Sequence, residues 1–310
     1  MSTLSCATAP LNAAKECLNR PVTYMPRQKD YSLLPSPQID ARYKQLRANM
    51  QQLSTLMQKE RLNVGEIKSA RQLIEQAVLP GNRSKYYEAL QKKVIYASQR
   101  DNWAKTKLGE GHRIESKTGE MCNVTSLGMA MKYLGVTVQE LSDKLTELGF
   151  EGEIQGLQYE DMLEYLGQIS QGAGWQRTVK EDWSAVAALF GINTDFIDKP
   201  LKADKKTDDT IYDWYQQHLG SALAEGKGVM MSYNGHIVRV QAVTADGLVV
   251  DDPFGGTQLK NGKMVWTDIN SGDHLALGEK NQWNEGEDHV LPWKGVRQHT
   301  MLWMGILSQP

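Results

Sequence analysis

The sequence predicts an α+β fold in which a helical N-terminal region precedes an antiparallel sheet. Between residues 40 and 95, apolar residues recur at steps of three and four, which is the period of a helix face. Short apolar runs bounded by turn signals begin only near residue 228, and such runs are typical of strands. Helical patterns first and strand patterns afterwards favour α+β over an alternating α/β arrangement.

The composition of the 310 residues excludes several broad classes of function. Lys and Arg total 35, Asp and Glu total 37, and the formal net charge of −2 argues against a general nucleic-acid binder. No apolar run approaches the ~20 residues of a membrane span. The first nineteen residues lack a basic segment followed by an apolar one, so we expect a protein made in the cytoplasm without a Sec signal. Three cysteines are too few for a disulfide framework.

The chain divides into three predicted regions. Residues 1–39 hold five prolines and little periodicity, which indicates an extended leader. Residues 40–95 form a helical N-terminal region, because three apolar helix faces follow one another with breaks at Asn63 and at Pro80. Residues 96–310 form the larger predicted domain, in which helices come first and strands follow.

The larger domain is predicted to begin its regular structure with a helix over CNVTSLGMAMKYLG, with Gly135 as its C-terminal cap. Further helices are predicted over 141–148, 159–166, 183–198 and 209–224. Strands are predicted over GVMMSYN, HIVRVQAV, LVVDD and HTMLWMGIL, with a turn at Asp246-Gly247 between the second and third.

Three residues of this domain fit one mechanism. Cys122 opens an apolar-faced helix, where the positive end of the helix dipole stabilises a thiolate. His236 begins a predicted strand beside Gly235, and Asp252 precedes Pro253 at the end of the next strand, where a carboxylate can orient an imidazole. Cys first, with His and then Asp later in the chain, is the order of a papain-type thiol hydrolase.

A tight Asp246-Gly247 turn would pair Ala245 with Leu248 and place Asp252 opposite Gln241. That is five residues from His236, or about 16 Å at the usual strand rise. A bulge, a longer loop or a bend after Val250 would close the gap. Otherwise Asp251 or Asn234 would orient the imidazole.

The segments SQRDN at 98–102, CNVTSLGMAMKYLG at 122–135, and GHIVRV through DDPFGG at 235–256 resemble the papain-like cysteine peptidases of the bacteriocin-processing type. These are the double-glycine leader peptidases and their stand-alone bacterial and phage relatives. The resemblance covers about residues 94–256. The chain departs from the family at Asn123, where the family often has Gly, and in the 23 residues between Gln99 and Cys122, a longer interval than in the leader peptidases.

The resemblance implies a papain-like fold, with the nucleophile helix packed on an antiparallel sheet. It implies Cys122 as the nucleophile, His236 as the general base, Asp252 as the orienting acid and Gln99 as the side-chain donor of the oxyanion hole. It implies no cofactor and no metal. It also implies a protein or peptide substrate cut after Gly-Gly-like sites, in a groove too narrow for larger side chains.

The resemblance further suggests an antibacterial effector toxin delivered by a specialised secretion system. Residues 1–95 would then serve in delivery or bind an immunity (inhibitor) protein or a secretion-system component. A competing hypothesis is that the helices at 40–95 cover the cleft as an inhibitory pro-segment. Two other classes stay open, namely a peptidoglycan amidase or endopeptidase with the same triad and a catalytically inactive binding module.

Overall fold

A computed structural model describes residues 37–99, 121–176, 178–198, 200–203, 205–233, 235–254, 257–260, 263–266, 286–298 and 301–309. The predicted leader up to residue 36, the Gly-rich segment 100–120 and Asn234 therefore lie outside the described residues. Within the described chain, N-terminal helices precede a six-stranded antiparallel sheet with a packed helix, so the predicted α+β class is confirmed.

The N-terminal region consists of helices α1 (Pro37–Gln58), α2 (Val64–Ala77) and α3 (Arg83–Gln91), with a short 3₁₀ turn at Pro80–Asn82. Helix α1 begins three residues before the predicted boundary, because Pro is accepted in the first turn of a helix. The predicted break at Asn63 is the N-cap of α2. Asn63 Oδ1 accepts from the backbone N–H of Glu66, and the Glu66 carboxylate accepts from the backbone N–H of Asn63.

Four helices precede the sheet in the larger region: α4 (Cys122–Leu134), α5 (Val138–Glu147), α6 (Tyr159–Gln171) and α7 (Lys180–Ala188), with a 3₁₀ turn at Gly172–Gly174. The predicted C-terminal cap of α4 is confirmed, because Gly135 has a φ of 85°, which favours glycine. A Cβ there would lie 3.1 Å from Lys68 Cα of α2, so the end of α4 also needs glycine for this close approach.

The strands are β1 (Asn193–Asp198), β2 (Gly228–Tyr233), β3 (His236–Val243), β4 (Gly247–Asp251), β5 (Thr257–Lys260), β6 (Lys263–Trp266), β7 (His289–Pro292) and β8 (Met301–Ser308). The sheet has the order β1-β8-β2-β3-β4-β7, and β5 and β6 form a separate hairpin. Helices α8 (Asp208–Tyr215), α9 (Ser221–Ala224) and α10 (Trp293–Gln298) complete the described elements, with a π-helical turn over Gln216–Gly220 between α8 and α9.

One predicted helix is partly wrong. The sequence predicted a helix over residues 183–198, but α7 ends at Ala188 and residues 193–198 form strand β1. Gly191 breaks the helix with a φ of 72°. The following side chains alternate in exposure, and the strand pairs with β8 at the end of the chain. The helical prediction failed because a strand this short is stabilised by a partner that is distant in sequence.

Two apolar cores flank the sheet. One contains residues of the N-terminal helices together with α4 and the sheet, among them Leu53, Ile67, Ile74, Leu90, Val124, Leu127 and Ile237. The other contains α8 and the opposite sheet face, among them Ile211, Tyr215, Val229, Val238 and Val250. The N-terminal helices and the helix that begins at Cys122 therefore share one continuous core. No helix of the described part of the chain is both long and apolar enough to span a membrane.

Candidate active site

Cys122 is the first residue of α4 and is only 9% exposed. Its thiol lies at the N-terminal end of the helix, where unpaired backbone N–H groups and the helix dipole favour negative charge. Cys122 Sγ lies 3.7 Å from Asn123 Oδ1, so the residue that follows Cys122 contacts the thiol directly. The helix thus places the thiol of Cys122 at its N-terminal end.

His236 is the first residue of β3 and contacts two of the other predicted site residues. Its Nε2 lies 2.8 Å from Asp252 Oδ1, and the Cys122 thiol lies within hydrogen-bonding reach of the imidazole. Gly235, with a φ of 83°, lies in the turn between β2 and β3, where Tyr233 pairs with His236. The glycine turn therefore starts β3 at the position where the imidazole reaches both partners.

Asp252 follows the last residue of β4 and is fully buried. Its Oδ1 also accepts from the backbone N–H of Phe254 at 2.9 Å, and its Oδ2 accepts from the Tyr233 hydroxyl at 3.4 Å. Its backbone is fixed as well, because its N–H donates to Gly286 O at 2.8 Å and its carbonyl accepts from the Tyr96 hydroxyl at 2.7 Å. These contacts hold the carboxylate in one orientation against His236.

The β3–β4 hairpin closes the distance that the predicted turn left open. Val243 pairs with Leu248, and Thr244 and Gly247 exchange backbone hydrogen bonds, so the tight turn lies at Ala245-Asp246, one residue earlier than predicted, which removes two residues of the offset. A register shift between Val240 and Ala242 removes one more residue of offset. Asp252 would thus lie opposite Val238, two residues from His236 on the same face, and diagonal neighbours at this spacing are within reach of long side chains. The predicted position of the tight turn is wrong by one residue, and of the expected ways to close the gap the bulge is present.

Asp251, which the sequence offers as an alternative to Asp252 for orienting His236, has a different partner. Its Oδ2 lies 2.6 Å from Arg239 Nη1, and its Oδ1 accepts from the Gln241 amide. Successive residues of a strand point to opposite faces, so Asp251 faces Arg239 while Asp252 reaches His236. The second alternative, Asn234, lies outside the described residues.

Gln99 lies beside this network. It is fully buried, and its backbone N–H donates to Pro253 O at 2.8 Å, which attaches it to the residue after Asp252. Two residues earlier, the backbone N–H of Ala97 lies 3.4 Å from Met129 Sδ of α4. The segment ending at Gln99 therefore lies between α4 and the Asp252 turn. Its role as oxyanion donor to a substrate stays a prediction.

Sequence reasoning missed the groups that hold Asp252, namely the Tyr233 hydroxyl and the Phe254 N–H. The Phe254 contact could have been predicted from the sequence, because an Asp followed by Pro favours a turn in which the carboxylate accepts from the backbone N–H two residues later. The Tyr233 contact had no such signal, since it depends on the pairing of β2 with β3. Within the described ranges, no group of three His, Cys, Asp or Glu residues is placed to hold a metal ion.

The electrostatics of the site favour an imidazolium. Burial lowers the pKa of His236, but the Asp252 carboxylate and the Cys122 thiol outweigh burial and raise that pKa to about 9. Because this pKa lies above the unfolded value of 6.5, protonated His236 stabilises the fold fully below pH 6.5, and this stabilisation is lost as the pH rises through about 9.

We expect Asp252→Asn to lower the pKa of His236 by about 1–3 units, because it removes the nearby negative charge and leaves burial in place. An NMR titration of the His236 ring measures this shift. Tyr233→Phe is the matched control, since it keeps the aromatic ring 5.7 Å from His236 and removes only the hydroxyl donor to Asp252. Equal titration of His236 in the wild type and in Asp252→Asn would show that the carboxylate does not act on the imidazole.

Comparisons of this chain with protein-family models, with curated proteins and with solved structures found no match. The assignment of a function therefore rests on the residues and geometry of the site.

Proposed function

We propose that this protein is a papain-like thiol peptidase that hydrolyses peptide bonds through Cys122, His236 and Asp252. The observation that carries the proposal is the position of His236, whose imidazole contacts the Cys122 thiol and the Asp252 carboxylate together. A nucleophile, a base beside it and a third group that orients the base are the parts that nucleophilic hydrolysis needs.

The proposed starting state is an ion pair, in which the Cys122 proton resides on His236 to give a thiolate and an imidazolium. The thiolate attacks the peptide carbonyl carbon, a C–S bond forms, and the carbonyl oxygen becomes an oxyanion. The backbone N–H of Cys122 and the Gln99 side chain are the proposed donors to that oxygen. His236 then protonates the leaving amine as the C–N bond breaks.

Hydrolysis of the acyl-enzyme restores the starting state. His236, now neutral, removes a proton from water as the water oxygen attacks the thioester carbon. The C–S bond breaks, the carboxylic acid leaves, and the Cys122 thiolate and the His236 imidazolium are restored. Asp252 holds the imidazole in position for both proton transfers.

The first test is cleavage of a proteome-derived peptide library by the wild type and by Cys122→Ala. We expect the substitution to lower the cleavage rate by at least ~10³-fold, because removal of a nucleophile leaves only binding and oxyanion stabilisation. Thr125→Val is the matched control. It lies one turn along the same helix, is buried, and its hydroxyl donates to the Met121 carbonyl at 2.8 Å.

Cleavage that survives in Cys122→Ala would refute the proposal. If the wild type leaves the library intact but releases new free amines from purified sacculi, and Cys122→Ala does not, the peptidoglycan alternative replaces the protein substrate. If neither substrate is cut, the binding-module alternative replaces the enzyme. The effector setting, the secretion route and an immunity partner stay predictions from the resemblance.

A further inference from the structure

Helix α4 and strand β3 carry the two reactive residues, and a buried hydrogen bond joins the helix to the strand beside them. Ser126 of α4 is fully buried, and its Oγ donates to the backbone carbonyl of Ile237 at 3.1 Å. Ser126 lies one helical turn after Cys122, about 6 Å along the axis. Ile237 directly follows His236. The bond therefore ties the helix of the nucleophile to the strand of the base, one turn from the point where the thiol meets the imidazole.

The helix itself does not explain a serine at this position. Serine is unfavourable in a helix interior, and where it occurs there its hydroxyl often bonds the carbonyl four residues earlier. The neighbouring Thr125 does this, since its hydroxyl donates to the Met121 carbonyl at 2.8 Å. Ser126 instead donates out of the helix to the strand. The two adjacent buried hydroxyls therefore make different kinds of contact, one within α4 and one between α4 and β3.

The Ile237 carbonyl lies at the end of β3, before the pairing with β4 begins. That pairing starts at Arg239, which lies opposite Asp251. The next backbone N–H along the chain, that of Asp252, donates to Gly286 O at 2.8 Å. Ser126 therefore supplies a donor to β3 at a position that the β4 ladder does not reach.

Apolar packing alone does not fix the position of α4 along β3. Leu127 of α4 shares a core with Ile237, but apolar burial is non-directional and tolerates small slides of a helix. A hydrogen bond is directional and weakens steeply as its angle bends. The Ser126 bond therefore resists slides that would separate Cys122 from His236.

We propose that Ser126 is a positioning residue of this site, whose hydrogen bond to the Ile237 carbonyl sets the distance between the Cys122 thiol and the His236 imidazole. The inference rests on the proposed peptidase function and adds a residue that acts without contact with the substrate. Misplacement of reacting groups by about 1 Å can lower a rate on the order of 10²-fold. Ser126 then supports the thiolate–imidazolium pair itself, which can be measured without any substrate.

The first measurement is the pH dependence of Cys122 alkylation by iodoacetamide in Ser126→Ala. We expect the midpoint to rise toward the value of about 8.5 of a free thiol, and the rate at pH 6 to fall by at least ~10-fold, because the thiol loses its close imidazolium. Thr125→Val is the matched control, since it removes the adjacent buried hydroxyl, whose bond lies within α4, and it should keep the wild-type profile. Ser126→Cys keeps the side-chain size and weakens only the donor, so it should shift the profile in the same direction if Ser126→Ala does not fold.

Three outcomes contradict the positioning role. Ser126 variants that keep the wild-type alkylation profile would overturn it and leave the peptidase proposal standing. A Thr125→Val protein whose profile shifts as far as that of Ser126→Ala would do the same, because a general loosening of α4 would then explain both. A wild-type Cys122 that titrates like a free thiol would overturn the positioning role and the peptidase proposal together.

The second measurement separates kcat from KM on a peptide that the wild type cleaves. Ser126→Ala should lower kcat by about 10–100-fold and change KM by less than about 3-fold, because it displaces reacting groups without removing a contact to the substrate. Thr125→Val should keep both constants close to those of the wild type. A change confined to KM in Ser126→Ala would overturn the positioning role, since it would place the effect on substrate binding rather than on the reactive pair.

Discussion

Removal of residues 1–93 should abolish folding rather than raise activity. Ile67, Ile74 and Leu90 of the N-terminal helices are almost fully buried in the core that also contains α4. Truncation of one such side chain to alanine costs about 2–5 kcal/mol, and a whole domain is stable by only about 5–15 kcal/mol. Loss of several together exceeds the stability available.

The same region also supports the site through polar contacts. Arg61 donates to Glu287 at 2.9 Å and to Asp288 at 3.2 Å, and the adjacent Gly286 accepts from the backbone N–H of Asp252. Near the far end of α4, Lys68 lies against Gly135. The helices therefore pack along α4 and behind Asp252, which argues against an inhibitory pro-segment that covers the cleft.

Circular dichroism and activity of the truncated chain test this prediction. The point variant Ile74→Ala tests the same contribution of the N-terminal helices on a smaller scale, and we expect it to lower the free energy of unfolding by about 2–5 kcal/mol. Gln52→Ala, at an exposed position of α1, is the control and should change that free energy by less than about 0.5 kcal/mol. A truncated chain that folds and cleaves faster than the full chain would support the pro-segment hypothesis instead.

Asp251→Ala should destabilise the fold by about 3–5 kcal/mol, because it leaves the guanidinium of Arg239 buried without its counter-charge. Arg239 is fully buried, and besides Asp251 it donates to the backbone carbonyl of Gln91 at 2.9 Å and to the Gln91 side chain at 2.6 Å. Burial raises the pKa of Asp251, and Arg239 opposes that rise. The pair joins α3 to β3, which begins at His236, and to β4, which Asp252 follows.

Urea unfolding measures this loss. Asp195→Ala is the matched control, since it removes an aspartate from an exposed position of β1 in the same sheet. The double variant Arg239→Met with Asp251→Leu should recover most of the loss, because apolar replacement of a whole buried pair is often neutral or stabilising. A change below about 1 kcal/mol in Asp251→Ala would show that Arg239 finds other partners and that the pair does not fix these strands.

The parts of the structure that follow from local pattern could be predicted from the sequence. Strand β3 spans the apolar run HIVRVQAV, and α4 begins at Cys122 and ends at Gly135 as its helix signals indicate. The thiol of Cys122 therefore lies at the start of α4, and the imidazole of His236 lies at the start of β3. Local periodicity and capping chemistry carry that much information.

The parts that depend on distant partners could not be predicted. The bulge near Gln241 shifts the register of β3 against β4, and the Gln241 side chain there donates to Asp251 of the opposite strand. Strand β1 pairs with β8, more than one hundred residues later.

The measurement that tests the central claim most directly is the rate of alkylation of Cys122 by iodoacetamide against pH, read by mass spectrometry, in the wild type and in His236→Ala. An ordinary thiol reacts slowly at pH 6, because little of it is thiolate there. The thiolate–imidazolium pair predicts fast alkylation of Cys122 at pH 6 in the wild type and loss of that rate in His236→Ala. A Cys122 that reacts at the same rate in both proteins at pH 6, or that does not react in either, would contradict it.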